Sequence, residues 1–454
     1  MSLEWNDVVL KDVLSEKGYI RGPFGSALKR AEMKSEGIPV YEQQNAIYDN
    51  RIFRYFIDEE KYQSLKRFTT YPDDLIISCS GTVGKVSIIK HDDPKGIISQ
   101  ALLTLRVNKD LILPEFLKYF FSSYEGYNSL VSRSTGSVQV NISKRAVIEE
   151  IPLKLPPLDV QQKIVYYLSL IDKKIGINEK INKNLHLLSK NIFKYYMEDF
   201  CPFLENGMQN SELGNIPIDW KVHDFNSIAD IFNGYSYKGN ELQPSNSAMA
   251  TIKNFNRDGS FRSDGFKEIV YSEKIKEQHF VNENDVLVSC TDVTQDADII
   301  GNCVLLLDKR GYNEVIMSMD LVKVESKIPE INNFLLAAIL KSYRFKMHIL
   351  GYVNGTTVLH LDKKGIKKFR LALPSDLSIL KDLSNIMEQI YNQISINMKE
   401  INNLTKLRDT LLPKLMSGEI DVSKINCDMP PKTQENCINN FTSLQQNKLV
   451  EVII

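Results

Sequence analysis

From Leu158 to Met197 apolar side chains return every three or four residues, through Ile164, Leu168, Ile171 and Ile175 and then Leu185 and Ile192. That step lines one face of a helix, and its persistence over several heptads predicts a coiled coil. Leu383, Met387, Ile390, Ile394, Ile401, Leu404 and Leu411 repeat the steps near the other end of the chain. Asn178, Asn182 and Ser189 interrupt the first seam, and Asn397 and Arg408 the second. A helix of about 40 residues spans roughly 60 Å. Outside these segments the pattern changes to short runs bounded by polar turns. Asp74–Ser80 and Asp285–Thr291 are β-branched runs of that kind, and both predict buried strands. Further strands are expected over 97–107 and 315–324, then amphipathic helices over 115–123 and 333–342.

The two long helices belong to a larger duplication. Gly136–Arg145 lies over Gly355–Lys364 at an offset of 219, and after a slip of one residue Ile151–Pro156 lies over Phe369–Pro374. The turns Gly22–Ser26 and Asn233–Lys238 match, as do the segments from Gly37 to Asn45 and from Ala250 to Arg257. A repeat of this length is the size of a domain, too long for a solenoid unit. The expected fold is α+β, with two similar halves related by a pseudo-twofold and separated by a long antiparallel two-helix coiled coil. In such a pair, equivalent residues meet only at the axis, so Asn178 and Asn397 are expected to face each other near the helix midpoints.

Composition narrows the class without naming a partner. At 43% hydrophobic and 25% charged, with a net charge of −1, the 454-residue chain is globular and has no basic tail to coat nucleic acid. Its 6 cysteines form no CxxC pair and no secretory leader precedes them, so a reduced, cytoplasmic protein is expected. No apolar run approaches the roughly 20 residues of a membrane span.

Catalytic patterns are missing. Pro156-Pro157 and Pro430-Pro431 lack the flanking residues of a base methyltransferase loop, and the 6 histidines show no metal-ligand spacing. The turn Gly81–Lys85 is two residues short of a P-loop, so a hairpin is the better reading. Asp58–Lys61 and Asp92–Lys95 superficially resemble nuclease sites, but short mixed-charge runs are usually solvated turns.

Several motifs in this order resemble the DNA specificity subunit of type I restriction-modification systems: Gly136–Ser143, Ile151–Ile164, Ser211–Pro217 ahead of Trp220, and Leu411–Ile420. The resemblance covers residues 4–425 and implies two target recognition domains, each reading one half of a split sequence in double-stranded DNA. The implied division is 1–155 and 200–375 for the domains, 156–199 and 376–425 for the spacer helices, and 426–454 for a C-terminal extension. Two major-groove segments on one face of a duplex lie about 34 Å or a multiple apart, a separation that a helical pair of roughly 60 Å can hold. The resemblance also implies a chain that is not itself an enzyme. Two methyltransferase subunits and the restriction and translocation subunits would be its partners. S-adenosylmethionine and ATP with Mg would bind in those partners, with no cofactor or metal in this chain. The polar loop positions that could contact DNA are Lys29, Gln43, Gln44, Asn45, Ser80, Thr82, Lys85, Ser137 and Gln139 in the first half. In the second they are Tyr235, Lys238, Lys253, Asn254, Asn256, Arg257, Thr291, Thr356 and Thr357. Amides suit adenine edges, and cationic side chains suit guanine or phosphate. The recurrence of the Gly136 and Gly355 loops in both halves favours a structural or backbone-contacting role for them over base readout. A self-contained nuclease and a pure coiled-coil assembly protein are the alternatives.

Overall fold

Each half pairs an early strand with its last. Asn6–Val9 runs antiparallel to Pro152–Leu155, and Trp220–Asp224 antiparallel to Arg370–Pro374. The computed structural model describes residues 5–133, 140–294 and 296–423 and divides the chain into two compact units. One comprises the residues up to Lys173 with those from Leu404, and the other is Lys174–Asn403. The C-terminal extension 426–454 lies outside the described residues.

Both units carry the same four-stranded antiparallel sheet. In the first the order is Leu14–Arg21, Leu102–Val107, Leu75–Ser78, Val86–Ile88. In the second it is Ala229–Asn233, Leu321–Ser326, Val286–Ser289, Cys303–Leu305. The central strands Leu75–Ser78 and Val286–Ser289 are buried along their whole length, which explains their unbroken apolar runs. A second sheet, three-stranded in the first unit and four-stranded in the second, adds a parallel pair to each, Val40–Tyr41 with Ile97–Ile98 and Ser247–Ala250 with Glu314–Met317.

The continuous strands expected over 97–107 and 315–324 are each two strands. They break where Leu102 N–H donates to Ser99 O and Leu321 N–H donates to Ser318 O. These tight turns send the two pieces of each run into different sheets. The glycine before each turn contact cannot be replaced: a Cβ on Gly22 or Gly234 would lie 2.0 Å from the carbonyl oxygen of Ser99 or Ser318. The matched glycine turns of the sequence are therefore matched backbone contacts.

Pro114–Ser122 and Asn333–Leu340 form the expected helices, each followed by a serine-capped second helix, Tyr124–Leu130 and Tyr343–Leu350. The long helices run Leu158–Phe193, with a π-helical turn at Lys194–Glu198, and Ser378–Met416. In the first unit Ile164 and Leu168 are buried in the same core as Leu412 and Leu415. Leu411 is only half-buried, so the seam shifts by one residue beside Pro413. Arg408 Nη1 donates to Asp172 Oδ1 at 3.0 Å, and Asp172 Oδ2 accepts from the Tyr119 hydroxyl at 2.7 Å.

In the second unit the helices meet through Asn178 with Glu400, Asn182 with Asn397 and His186 with Tyr391, an antiparallel progression. Asn178 and Asn397, expected to face each other near the axis, lie in adjacent layers and each bonds a neighbouring partner. Asn397 Nδ2 donates to Asn182 Oδ1 at 2.8 Å, and Asn178 Nδ2 donates to Glu400 Oε2 at 2.8 Å. The point at which equivalent residues would meet falls between these two layers, so each asparagine reaches a partner about one turn from its own equivalent.

No helix among the described residues is long and apolar enough to cross a membrane, and among them no group of three or more His, Cys, Asp or Glu is placed to hold a metal ion.

His186 packs beside Tyr391, with ring centroids 5.9 Å apart, where burial and the charge of Lys341 hold its imidazole down at about 4. A histidine kept neutral in the fold is protonated first in the unfolded chain, so acid favours unfolding. The second unit should keep its full stability above pH 6.5 and lose about 3 kcal/mol as pH falls from there to 4. Denaturant titrations at pH 7 and pH 4.5 check this. A His186→Phe variant should lose much less stability across that interval.

Candidate nucleic-acid interface

In the first unit the strand Ile38–Tyr41 leads into the short helix Gln43–Ile47, which packs against Leu75–Ser78 and Val86–Ile88. The Gln43 amide lies over the neighbouring hairpin turn, its Nε2 3.6 Å from where a Cβ on Gly81 would sit. Gln43 and the exposed residues Ser80, Thr82 and Lys85 are thereby gathered at one end of the sheet. The buried Gln43 Oε1 has no hydrogen-bond partner in the protein. Its neighbours are committed. Gln44 Nε2 donates to Ile52 O at 3.1 Å. Asn45 is fully buried, accepts from Glu42 N–H at 2.7 Å and donates to Asn50 O and Ile52 O. Lys29 is exposed on a separate 3-10 turn, where its backbone N–H donates to Glu32. Ser137 and Gln139 lie outside the described residues, between the paired strands Val131–Arg133 and Val140–Ile142.

The second unit builds its matching loop from different side chains on the same frame. Asn254 is buried, accepts from Thr251 N–H at 2.9 Å and donates to Arg262 O at 2.9 Å, just as Asn45 closes its own loop. Lys253, the counterpart of Gln44, is exposed. Asn256 donates to Ser260 Oγ at 2.9 Å, and Arg257 reaches Asp298 at 3.5 Å while remaining 76% exposed. Tyr235 is buried, with its hydroxyl on Glu241 Oε1 at 2.7 Å, whereas Lys238 is exposed on the turn beside it. Thr291 is buried in a three-stranded sheet with Val353–Asn354 and Leu359–Leu361, the hairpin whose exposed tip carries Thr356 and Thr357. Arg257, Thr291 and the loop reaching Asp298 are thus brought to one region of this unit.

These placements separate two roles. Asn45, Asn254 and Tyr235 bury their polar atoms in loop-closing hydrogen bonds, whereas Ser80, Thr82, Lys85, Lys238, Lys253, Arg257, Thr356 and Thr357 present theirs at the surface. Two groups were not singled out by sequence. The carboxylate of buried Asp292 accepts from Thr294, Ile299 and Ile300, and Lys346 Nζ donates to Ala297 O, Ile300 O and Asn302 Oδ1. Burial works to raise the Asp292 carboxyl, but the hydrogen bonds prevail and hold it below the usual carboxylate range. For Lys346 burial prevails over the attraction of Asp292 and Asp298, and its ammonium is pushed below the usual lysine value. A local sequence pattern shows neither group, because their partners lie across the fold. Burial also pushes the Cys79 thiol up to about 11 and that of Cys290 to about 12, so both remain protonated and unsuited to nucleophilic chemistry.

A family model described as the type I restriction modification DNA specificity domain matches residues 3–187 and again 217–406. The type I restriction enzyme MjaVIII specificity subunit of Methanocaldococcus jannaschii is 23% identical over 414 residues, covering 88% of this chain and 93% of that one. The HindI specificity subunit of Haemophilus influenzae is 23% identical over 393 residues, covering 74% and 84%. The S subunit of the type I restriction-modification system from M. genitalium shares the fold with a TM-score of 0.55 at 14% identity, over 91% of this chain and 96% of that one.

The split between buried and presented side chains can be measured. Asn254→Ala orphans the Thr251 N–H and the Arg262 carbonyl and should destabilise the second unit by about 1–3 kcal/mol. Arg257→Ala removes an exposed pair and should change stability by less than about 1 kcal/mol. Equal shifts in the denaturation midpoint for the two variants would contradict the assignment.

Proposed function

The chain belongs to the type I restriction-modification DNA specificity family, and on that premise we propose that each half reads one segment of a split double-stranded DNA target. As a specificity subunit it is a non-catalytic component that recognises the DNA target within the complex. The observation that carries the split-target reading is that the family model matches twice, once over each half. Each match covers a complete frame of one four-stranded sheet, one parallel pair and a pair of short helices. In this reading residues 1–155 and 200–375 are the target recognition domains, and 156–199 with 376–425 form the spacer. The outer faces of the helical segments receive two methyltransferase subunits, and the restriction subunits join through them. S-adenosylmethionine and ATP bind in those partners.

DNA contact is assigned to the presented side chains: Ser80, Thr82 and Lys85 with Gln43 in the first half, and Lys238, Lys253, Arg257, Thr356 and Thr357 in the second. The Gln43 Nε2, lying over the Gly81 turn among these residues, suits an acceptor on a base edge. Lysines at loop surfaces suit phosphate, where they set position and affinity and leave sequence to other groups.

Two measurements test the proposal. The purified chain, incubated with DNA and S-adenosylmethionine, should methylate nothing. Adding its methyltransferase partner should produce methylation at one sequence made of two separated segments. Methylation or cleavage by the chain alone would overturn the reading, and so would a partner complex that modifies DNA without sequence preference. In the assembled complex, Lys85→Ala and Lys253→Ala should each flatten the slope of log affinity against log salt by about one unit and leave the target sequence unchanged. An unchanged slope removes that lysine from the phosphate contacts.

A further inference from the structure

The two units close the same hairpin around loops of different length. In the first, Ser78 N–H donates to Lys85 O and Gly84 N–H to Ser78 O; in the second, Ser289 N–H donates to Asn302 O and Gly301 N–H to Ser289 O. Both closing glycines hold positive φ, 81° at Gly84 and 75° at Gly301. The serines are 211 residues apart in sequence and the glycines 217, so the second loop contains six additional residues.

The added length is held from within. Asp292 is fully buried, and its carboxylate accepts from Thr294 N–H at 2.8 Å, the Thr294 hydroxyl at 2.8 Å, Ile299 N–H at 2.6 Å and Ile300 N–H at 3.2 Å. Lys346, from the helix beneath, donates to Ala297 O at 3.1 Å, Ile300 O at 2.6 Å and Asn302 Oδ1 at 2.8 Å. Removing two charged groups from water is unfavourable unless their partners are fixed, so these hydrogen bonds anchor the loop at 292–294 and at 297–302. A connector with no task beyond joining two strands needs no such anchoring; its counterpart over 79–83 joins them in five residues.

What the loop presents is an exposed apolar side chain. Val293 is 65% exposed. Asp292 pairs with Leu359, so by register Val293 comes opposite Val358, itself 38% exposed at the hairpin tip. Arg257, itself 76% exposed, reaches the loop at Asp298. Two small valines are far from the roughly 800 Å² per partner of a stable protein interface. An exposed branched apolar side chain of this size instead suits the major groove, where the thymine methyl is the apolar mark on a base edge.

Resting on the reading above, we infer that this inserted loop carries sequence readout for the second half, with Val293 contacting a thymine methyl and Asp292 and Lys346 acting as positioning residues that hold it there. The matched frames then read different segments because one hairpin ends in a short turn and the other in a longer, anchored loop.

The test uses the full chain assembled with its methyltransferase partner on a randomised DNA library, with methylated sequences read out. Val293→Ala should relax the preference for thymine at one position of one segment by about fourfold, the worth of a buried methyl-sized contact, with the other segment unchanged. Because Val293 is exposed, the variant should fold, and its thermal midpoint should match that of the parent. Unchanged preference at every position would overturn the inference. Loss of the methyltransferase from the complex on size-exclusion chromatography would also overturn it, by making Val293 a protein contact. If the parent complex itself shows no split target, the reading of the family function fails instead, and the two failures are distinct.

Discussion

The second unit depends on polar side chains buried between two apolar helical seams. Ile390, Ile394, Met387 and Leu185 supply the area that drives the helices together, but apolar contacts of similar size tolerate a slip of one turn. The amides do not. With Asn397 on Asn182 and Asn178 on Glu400, a slip in either direction would strand buried donors and acceptors against isoleucine, at a cost of about 1–3 kcal/mol for each orphaned group. The first unit meets the same need with charge, placing Asp172 between Arg408 and the Tyr119 hydroxyl. Register in both units is therefore set by polar groups, while apolar area supplies the stability.

This division explains which features could be read from the chain and which could not. Periodicity reports the face that a side chain occupies, so the long helices, their seams and the buried central strands were legible from Ile164 to Ile394. It does not report which residue waits across the interface, where Asn397 bonds Asn182, one turn from Asn178. The runs over 97–107 and 315–324 show the same limit. Their apolar content is continuous enough to predict one strand, but the backbone turns at Ser99 and Ser318 are made by contacts with distant Gly22 and Gly234.

The candidate interface was legible in outline and misleading in detail for a related reason. Asn45 and Asn254 stand in polar loops where an amide could meet a base, and their local sequence is no different from that of a reader. Burial distinguishes them, and burial arises from Ile52 and Arg262, which approach only in the fold. Asp292 and Lys346 were passed over for the converse reason, since an aspartate after a strand and a lysine on an amphipathic helix look like ordinary surface charge until the loop between them is closed.

Duplication offers a criterion that neither burial nor residue type provides alone. Two copies of one frame can read different sequences only where they differ, so residues that match across the copies serve the frame first. Gly22 with Gly234, Asn45 with Asn254, Ser99 with Ser318 and Gly84 with Gly301 are such pairs, and each closes a turn or permits a close backbone approach. The pair Gln44 and Lys253 breaks the match beside those anchors, and so does the unequal length of the loops after Ser78 and Ser289. Of these two differences, the loop changes the backbone as well as the side chains, and its extra residues are held by groups that would otherwise remain in water. A difference that is both exposed at its head and buried at its root has the form that sequence discrimination requires: a contact that varies between the halves, presented by a support that is anchored in the fold.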